Sequence, residues 1–189
     1  AGPYNEVKAL PVMTADAAVI QRLEALRPNP SVIGPKEYAA SVNTIVDDAI
    51  AKAGAGLNGE QLLKNVRVLR ERAKKTYNNQ SSPIEALDIA DTNLAIANAL
   101  ESMAESSISD PALLTRFRDA RQKMARSYGY EGATDFNTGR VDAKKLARIT
   151  AKDSYLTGDI ASIGQVAGNF PDVFDAKPKS PWSTAARIG

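Results

Sequence analysis

Cysteine and histidine are both missing from the 189 residues of this chain. Without cysteine there is no disulfide, no thiolate ligand for zinc and no cysteine nucleophile. Without histidine, every Ser-His-Asp triad and every histidine general base is excluded. The absence of cysteine fits a reducing cytoplasm, although many extracellular and viral proteins also lack it. We therefore predict no enzymatic activity, with no catalytic, metal-binding or cofactor-binding residues and no cofactor.

Long apolar runs and bulky apolar side chains are also scarce. No run approaches the roughly 18 apolar residues of a membrane span, and the first residues show no signal-peptide pattern, so we predict no integral membrane segment. Leu, Ile, Val and Phe together number 41 of 189 residues, close to the level of about one-fifth below which chains tend to be disordered. Alanine is abundant; it favours helix but buries little area. We therefore expect the helices to pack against other chains, including copies of this one.

The apolar residues that are present recur at spacings of three and four, which is typical of amphipathic helices. No alternating strand pattern of useful length occurs. We predict an all-α fold: an antiparallel bundle of about five main helices plus two short C-terminal helices, with extended terminal arms.

Capping residues mark the expected helix starts. Asp110 precedes Pro111 at a first helical position, and Ser82-Pro83-Ile84-Glu85 has the pattern of a capping box. Other predicted starts are Thr14, Asn58 and Asp142, and Gly129 is a predicted stop. The helix that starts at Pro111 has a predicted buried stripe of Leu113, Leu114, Phe117, Ala120, Met124 and Tyr128. In the last short helix the predicted buried stripe is Ile160, Ile163, Val166 and Phe170.

The ends of the chain differ in composition from its middle. Residues 1–13 are predicted to be an extended arm, residues 14–170 a helical domain with a sub-boundary near 129–142, and residues 171–189 a flexible or docking tail. The chain begins Ala-Gly-Pro without Met, as in a processed product or the ordered part of a longer protein. Isolated apolar side chains in the arms are candidates for partner binding: Tyr4, Val7, Leu10, Val12, Phe174 and Trp182.

Charge is unevenly distributed, although the formal net charge is only +2. Residues 60–75 are basic, residues 85–105 are acidic, and residues 116–152 are basic again. This order suggests pairing between neighbouring helices, or else a cationic surface left over for nucleic acid or acidic lipid headgroups. Stacking on bases is not expected, because Phe117 and Tyr128 fall on the buried stripe. The candidates for phosphate contact are Arg116, Arg118, Arg121, Lys123, Arg126, Lys144, Lys145 and Arg148.

One dipeptide raises an enzymatic alternative. Glu105-Ser106 resembles the Glu-Ser pair of lytic transglycosylases, in which the glutamate is the general acid and base. The Gly-Leu-Thr-Gln loop of that family is missing here, and Glu101-Ser102 repeats the dipeptide. A peptidoglycan-degrading enzyme of the virion is kept as an alternative function, together with a non-specific DNA-binding helical module.

Several segments between residues 117 and 171 carry a family resemblance. The first is Phe117-Arg118-Asp119-Ala120-Arg121 with Met124-Ala125-Arg126-Ser127-Tyr128. The second is Asn137-Thr138-Gly139-Arg140-Val141-Asp142-Ala143-Lys144-Lys145-Leu146, followed by Leu156-Thr157-Gly158 and Phe170-Pro171. Together they resemble a helical region of large, poorly annotated virion proteins of tailed bacteriophages and prophages.

The resemblance implies a structural protein of the phage particle, of the internal or ejected type. Such a protein would be made in the bacterial cytoplasm and assembled with itself and other virion subunits near the portal and tail channel. It would help to deliver the genome, and non-specific contact with phage DNA would fit that role.

Overall fold

The computed structural model describes residues 2–29, 36–79, 81–135, 139–152 and 158–170. The helices are α1 Pro3–Lys8, α2 Ala17–Glu24, α3 Lys36–Ala55, α4 Gly59–Asn78, α5 Ile84–Ser107, α6 Pro111–Ala133, α7 Ala143–Lys152 and α8 Asp159–Asn169. Two short strands, β1 Thr134–Asp135 and β2 Arg140–Val141, form an antiparallel pair. The all-α prediction is confirmed, with α2 to α6 as the main helices and α7 and α8 as the short C-terminal pair. The candidates Phe174 and Trp182 lie outside the described residues.

Helix α5 is the centre of the bundle. It contacts α2, α3, α4, α6 and α7, and most side chains between positions 90 and 104 are buried. A helix that is buried on nearly all sides belongs to the interior of a fold. Its alignment with α4 follows from two contacts: Tyr77 meets Asp91, and Arg70 meets Glu101. Residue numbers therefore rise along α4 in the direction in which they fall along α5, so the two helices are antiparallel.

Buried apolar residues form two clusters along the bundle. The larger cluster joins α1 to α6 and includes Leu23, Leu62, Met103 and Phe117. The smaller cluster lies where the end of α4, the start of α5, the end of α6 and α7 meet. Its members are Ala73, Tyr77, Ala90, Leu94, Ala133, Leu146 and Ile149. Many members are alanine, as the composition predicts.

Three of the predicted helix starts are confirmed. The Asp110 carboxylate accepts a hydrogen bond from the amide of Ala112, and Pro111 follows in the first turn. Asn58 and Gln61 form a reciprocal capping box at α4. Asp142 accepts from two amides at the start of α7. In each case a polar side chain satisfies an amide that has no partner within the helix.

Two predicted starts are wrong. Helix α2 is capped by Asp16, whose carboxylate accepts from the Val19 amide at 2.8 Å, so Thr14 is not the cap. At α5 the N-cap residue is Pro83, without a side-chain cap. The hydroxyl of Ser82 instead donates to the carbonyl of Thr76 at 2.9 Å. Ser82 therefore ties the loop back to the end of α4 rather than capping α5.

The second half of α6 also departs from the prediction. The helix continues through Gly129 to Ala133, so Gly129 does not end it, and Gly132 in its last turn allows close packing. A Cβ atom at Gly132 would lie 3.2 Å from the Ile149 side chain. Arg121 is 1% exposed and lies on the buried stripe, whereas Met124 is 36% exposed.

Residues 3–8 form a helix, so the predicted extended arm over 1–13 is wrong there. Val7 is fully buried in the main core, and the Tyr4 ring packs edge-on against Phe117 with ring centroids 5.3 Å apart. Leu10 also packs against this core. For Val7 the prediction of partner binding is wrong, because its side chain is buried in its own chain; Tyr4 and Leu10 are partly buried, and for them partner binding stays a prediction. Val12 is 64% exposed, so its role in partner binding stays a prediction.

Helix α8 packs on α7 through small residues instead of the predicted apolar stripe. A Cβ atom at Gly164 would overlap the Thr150 side chain, and one at Gly168 would lie 3.7 Å from Ala147. At Gly164 only glycine fits, because the Cβ atom of any other residue would overlap Thr150. Because α8 contacts α7 through the side that carries Gly164 and Gly168, the larger side chains on the opposite side of α8 face outward.

Candidate functional site

The buried charges form an ion-pair layer, defined here as Arg70, Glu101, Glu105 and Arg121. One Glu101 oxygen accepts from Arg70 Nη2 at 2.9 Å and from Arg121 Nε at 3.0 Å. The same Arg121 also pairs with Glu105, and Asn98 accepts from Arg70 at 2.7 Å. The side chains of Arg70, Glu101 and Arg121 are at most 2% exposed. These groups join α4, α5 and α6 and are shielded from solvent.

A second set of charges joins α5 to α7. Arg148 pairs with Asp88 and with Asp91, the latter at 2.9 Å. The hydroxyl of Tyr77 donates to Asp91. Burial, followed by the charge of Asp91, raises the pKa of Tyr77 well above its usual range. With the ion-pair layer, these contacts confirm the predicted pairing between basic and acidic helices.

The predicted phosphate-contact residues divide into two groups. For five of them a partner inside the chain is identified: Arg116 pairs with Glu6, Arg118 with Glu105, Arg121 with Glu101 and Glu105, Lys145 with the Tyr77 carbonyl, and Arg148 with Asp88 and Asp91. For Arg121 the prediction is wrong, because the side chain is buried and cannot reach a phosphate. Lys123, Arg126 and Lys144 are exposed, and for them phosphate contact stays a prediction.

A basic stripe lies on the outer side of α4, defined here as Lys64, Arg67, Arg72 and Lys75. All four side chains are exposed. They surround an open surface depression that also contains Val68. In the part of the chain that the structure describes, none of the four forms an ion pair. A cationic surface left over for nucleic acid was one of the two alternatives from the charge pattern, but these four residues were not among the candidates for phosphate contact.

A second surface is the α8 apolar face, defined here as Ile163, Val166 and Phe170. These side chains are 50%, 50% and 60% exposed, which corrects their prediction as buried residues. Ile163 and Val166 are three positions apart on one side of α8, and Phe170 follows as the C-cap residue. The eleven residues from 160 to 170 contain no charged side chain. This face is therefore apolar and electrically neutral.

A cleft of about 380 Å³ lies between α3, α4 and α5. Its walls include the apolar residues Leu57, Ile96 and Leu100 and the ion pair of Lys52 with Asp48 at 2.7 Å. Among its lining residues there is no pair of a nucleophile and a base within hydrogen-bond reach, so the cleft suggests no reaction.

The glutamate of the enzymatic alternative is engaged within the protein. The Glu105 carboxylate pairs with Arg121 and, at 3.1 Å, with Arg118. A general acid has to reach the substrate, whereas this carboxylate is 9% exposed and faces two guanidinium groups. Over the described ranges no three acidic side chains are grouped as a metal site would need. Nor does any described helix combine the length and apolarity that crossing a membrane requires.

Comparisons of the chain with protein-family models, with curated proteins and with solved structures found no match.

Proposed function

We propose that this chain is a structural protein of a tailed-bacteriophage particle that works by contact between subunits and not by catalysis. It would be an internal or ejected protein, assembled near the portal and tail channel and involved in genome delivery. The resemblance of residues 117–128 and 137–146 to such proteins supports the particle assignment. The paired state of Glu105 gives the enzymatic alternative less support.

The proposal that the chain works by contact between subunits rests on the α8 apolar face. Side chains at positions i, i+3 and i+7 form the seam along which helices associate. Here the seam consists of Ile163, Val166 and Phe170, each half-exposed or more. Removing these side chains from water is favourable by about 25 cal/mol for each Å² of apolar surface.

The occupant that we propose for this face is the same face of a second copy. Because residues 160–170 carry no charge, two copies can approach without repulsion and without desolvating an ion. A charged partner would gain no ion pair there. Three side chains make a small contact, so a single pair of chains should associate weakly. Several such contacts around a symmetric assembly would hold it together by multivalency.

The self-association is tested with two variants that carry the same new charge. Val166→Glu places a carboxylate on the apolar face, whereas Gln165→Glu places it one residue away at an exposed polar position. Molecular mass is measured by sedimentation equilibrium over a concentration series, with circular dichroism to verify folding. We expect the unmodified chain and Gln165→Glu to form multimers and Val166→Glu to be monomeric. An unmodified chain that remains monomeric throughout, or equal loss in both variants, would contradict the proposal.

The particle assignment has a separate test. Mass spectrometry of purified particles of the source phage should find this chain in several copies per particle. Its absence from particles would remove the phage assignment, while the sedimentation result would still stand.

A further inference from the structure

We infer that the basic stripe of α4 binds the phosphate backbone of duplex DNA without sequence specificity. This inference concerns a different surface from the α8 apolar face, and it does not depend on the proposed function.

The stripe has the shape that a row of phosphates requires. Lys64 and Lys75 are eleven positions apart, so the stripe is about 16 Å long at the helical rise of 1.5 Å per residue. One strand of B-DNA carries a phosphate about every 3.4 Å along the axis. Because the strand also winds around the axis, its phosphates are farther apart in space than this rise, and the stripe matches a short run of them. A helix packed against α5 and α6 holds the four cations in this row before any ligand binds.

The cations are unpaired because of where the acids of the bundle lie. The inward-facing Arg70 of α4 reaches Glu101, and Lys74, at the edge, pairs with Glu131. On the outer side of α4, no acid of the described residues forms an ion pair with the stripe. Glu71 is the acid within the stripe, and its carboxylate lies 3.3 Å from the Tyr128 hydroxyl. Four cations against Glu71 and the outlying Glu60 leave this face net positive.

Duplex DNA fits this surface better than a membrane does. A helix that binds a membrane surface presents an apolar face to the lipid. In α4 the apolar residues Leu62, Leu63 and Val66 are buried in the core. Among the residues that line the surface depression, Val68 is the one large apolar side chain, and it is 41% exposed. The residues that line the stripe include no aromatic ring on which an unpaired base could stack, which favours a duplex over a single strand.

The test is fluorescence anisotropy with a labelled 20-base-pair duplex of mixed sequence, measured from 50 to 200 mM KCl. If all four cations contact phosphates, affinity should fall about 100-fold over this range. The variant Arg67→Gln/Lys75→Gln should bind more weakly at every salt concentration, and its affinity should fall only about 10-fold over the same range. The matched control is Lys8→Gln/Arg22→Gln, which removes one lysine and one arginine from exposed positions outside α4. The control should bind like the unmodified chain.

Three results would overturn the inference. The first is binding that does not depend on salt, or no binding at 50 mM KCl. The second is equal weakening by the two double variants, which would mean that overall charge and not the stripe is responsible. The third is tighter binding to phosphatidylserine vesicles than to the duplex, lost in Arg67→Gln/Lys75→Gln. That result would assign the stripe to an anionic membrane surface.

Discussion

Replacing Glu101 by glutamine should destabilise the fold by about 3–5 kcal/mol, the usual cost of removing one partner from a buried ion pair. The carboxylate accepts from both Arg70 and Arg121, and all three side chains are at most 2% exposed. Glutamine keeps the volume and one carbonyl oxygen but removes the negative charge. Arg121 would keep its pair with Glu105, whereas Arg70 would lose the carboxylate that lies 2.9 Å from its guanidinium group. Against a total stability of about 5–15 kcal/mol, the loss is large.

Urea unfolding followed by circular dichroism at a fixed protein concentration measures this loss. With a slope of about 2 kcal/mol per molar urea, the midpoint should fall by about 2 M while the slope stays the same. The control is Asp48→Asn, which breaks an exposed pair with Lys52 and should cost less than about 1 kcal/mol. A loss below about 1 kcal/mol in Glu101→Gln at unchanged slope would refute the reasoning.

A triple variant separates charge from shape. Replacing Arg70 and Arg121 by methionine and Glu101 by leucine removes the three buried charges together and keeps similar volumes. Such replacements are often neutral or stabilising. We expect Arg70→Met/Glu101→Leu/Arg121→Met to recover most of the stability that Glu101→Gln loses. If the triple variant is as unstable as the single one, the loss comes from packing and not from unpaired charge.

Two further predictions concern close packing and pH. Gly59→Ala should destabilise the chain and detach α1, because the new methyl group would overlap the Val7 carbonyl; Gly54→Ala, with no atom within 4 Å, should be neutral or stabilising by up to about 1 kcal/mol. Thermal unfolding of the two variants compares them, and equal melting temperatures would contradict this account. The hydrogen bond from Lys74 lowers the pKa of Glu131, so its contribution to stability is complete above the ordinary carboxyl pKa and is lost as pH falls through the lowered one. Glu131→Gln should flatten that acid-side decline in unfolding free energy by less than about 1 kcal/mol, since the pair is partly exposed; an unchanged pH profile would show that the pair contributes nothing.

The all-α architecture and most helix positions could be predicted because local signals determine them. Asn58 and Asp110 cap helices by contacts within three residues of themselves, so spacing alone identifies them. Ser82 has the same local pattern, but its hydroxyl bonds to the preceding helix. That contact depends on how two helices meet, which a capping pattern does not contain.

The faces of α6 and α8 could not be predicted for a different reason. Sequence reasoning places arginine on the solvent side, whereas Arg121 is buried because Glu101 and Glu105 on α5 neutralise it. In α8 the larger side chains were expected to be buried, yet Gly164 and Gly168 allow a closer approach to α7. Both outcomes depend on what the neighbouring helix presents, and that information is far away in sequence.

The ion-pair layer also bears on the register of the bundle. Helix α5 contributes several small side chains to the core, Ala90, Ala97, Ala99 and Ala104, and at these positions the apolar contacts alone define poorly how far a neighbouring helix is shifted along α5, for example by one turn of about 5.4 Å. The same shift would separate Arg70 and Arg121 from Glu101 and leave three buried charges without these ion pairs, which is strongly destabilising. The buried ion pairs therefore favour one register of α4, α5 and α6 over registers that are shifted by a turn. In this chain a few buried charges thus define the relative position of the helices, which in cores with more large apolar side chains is defined by interdigitating leucines.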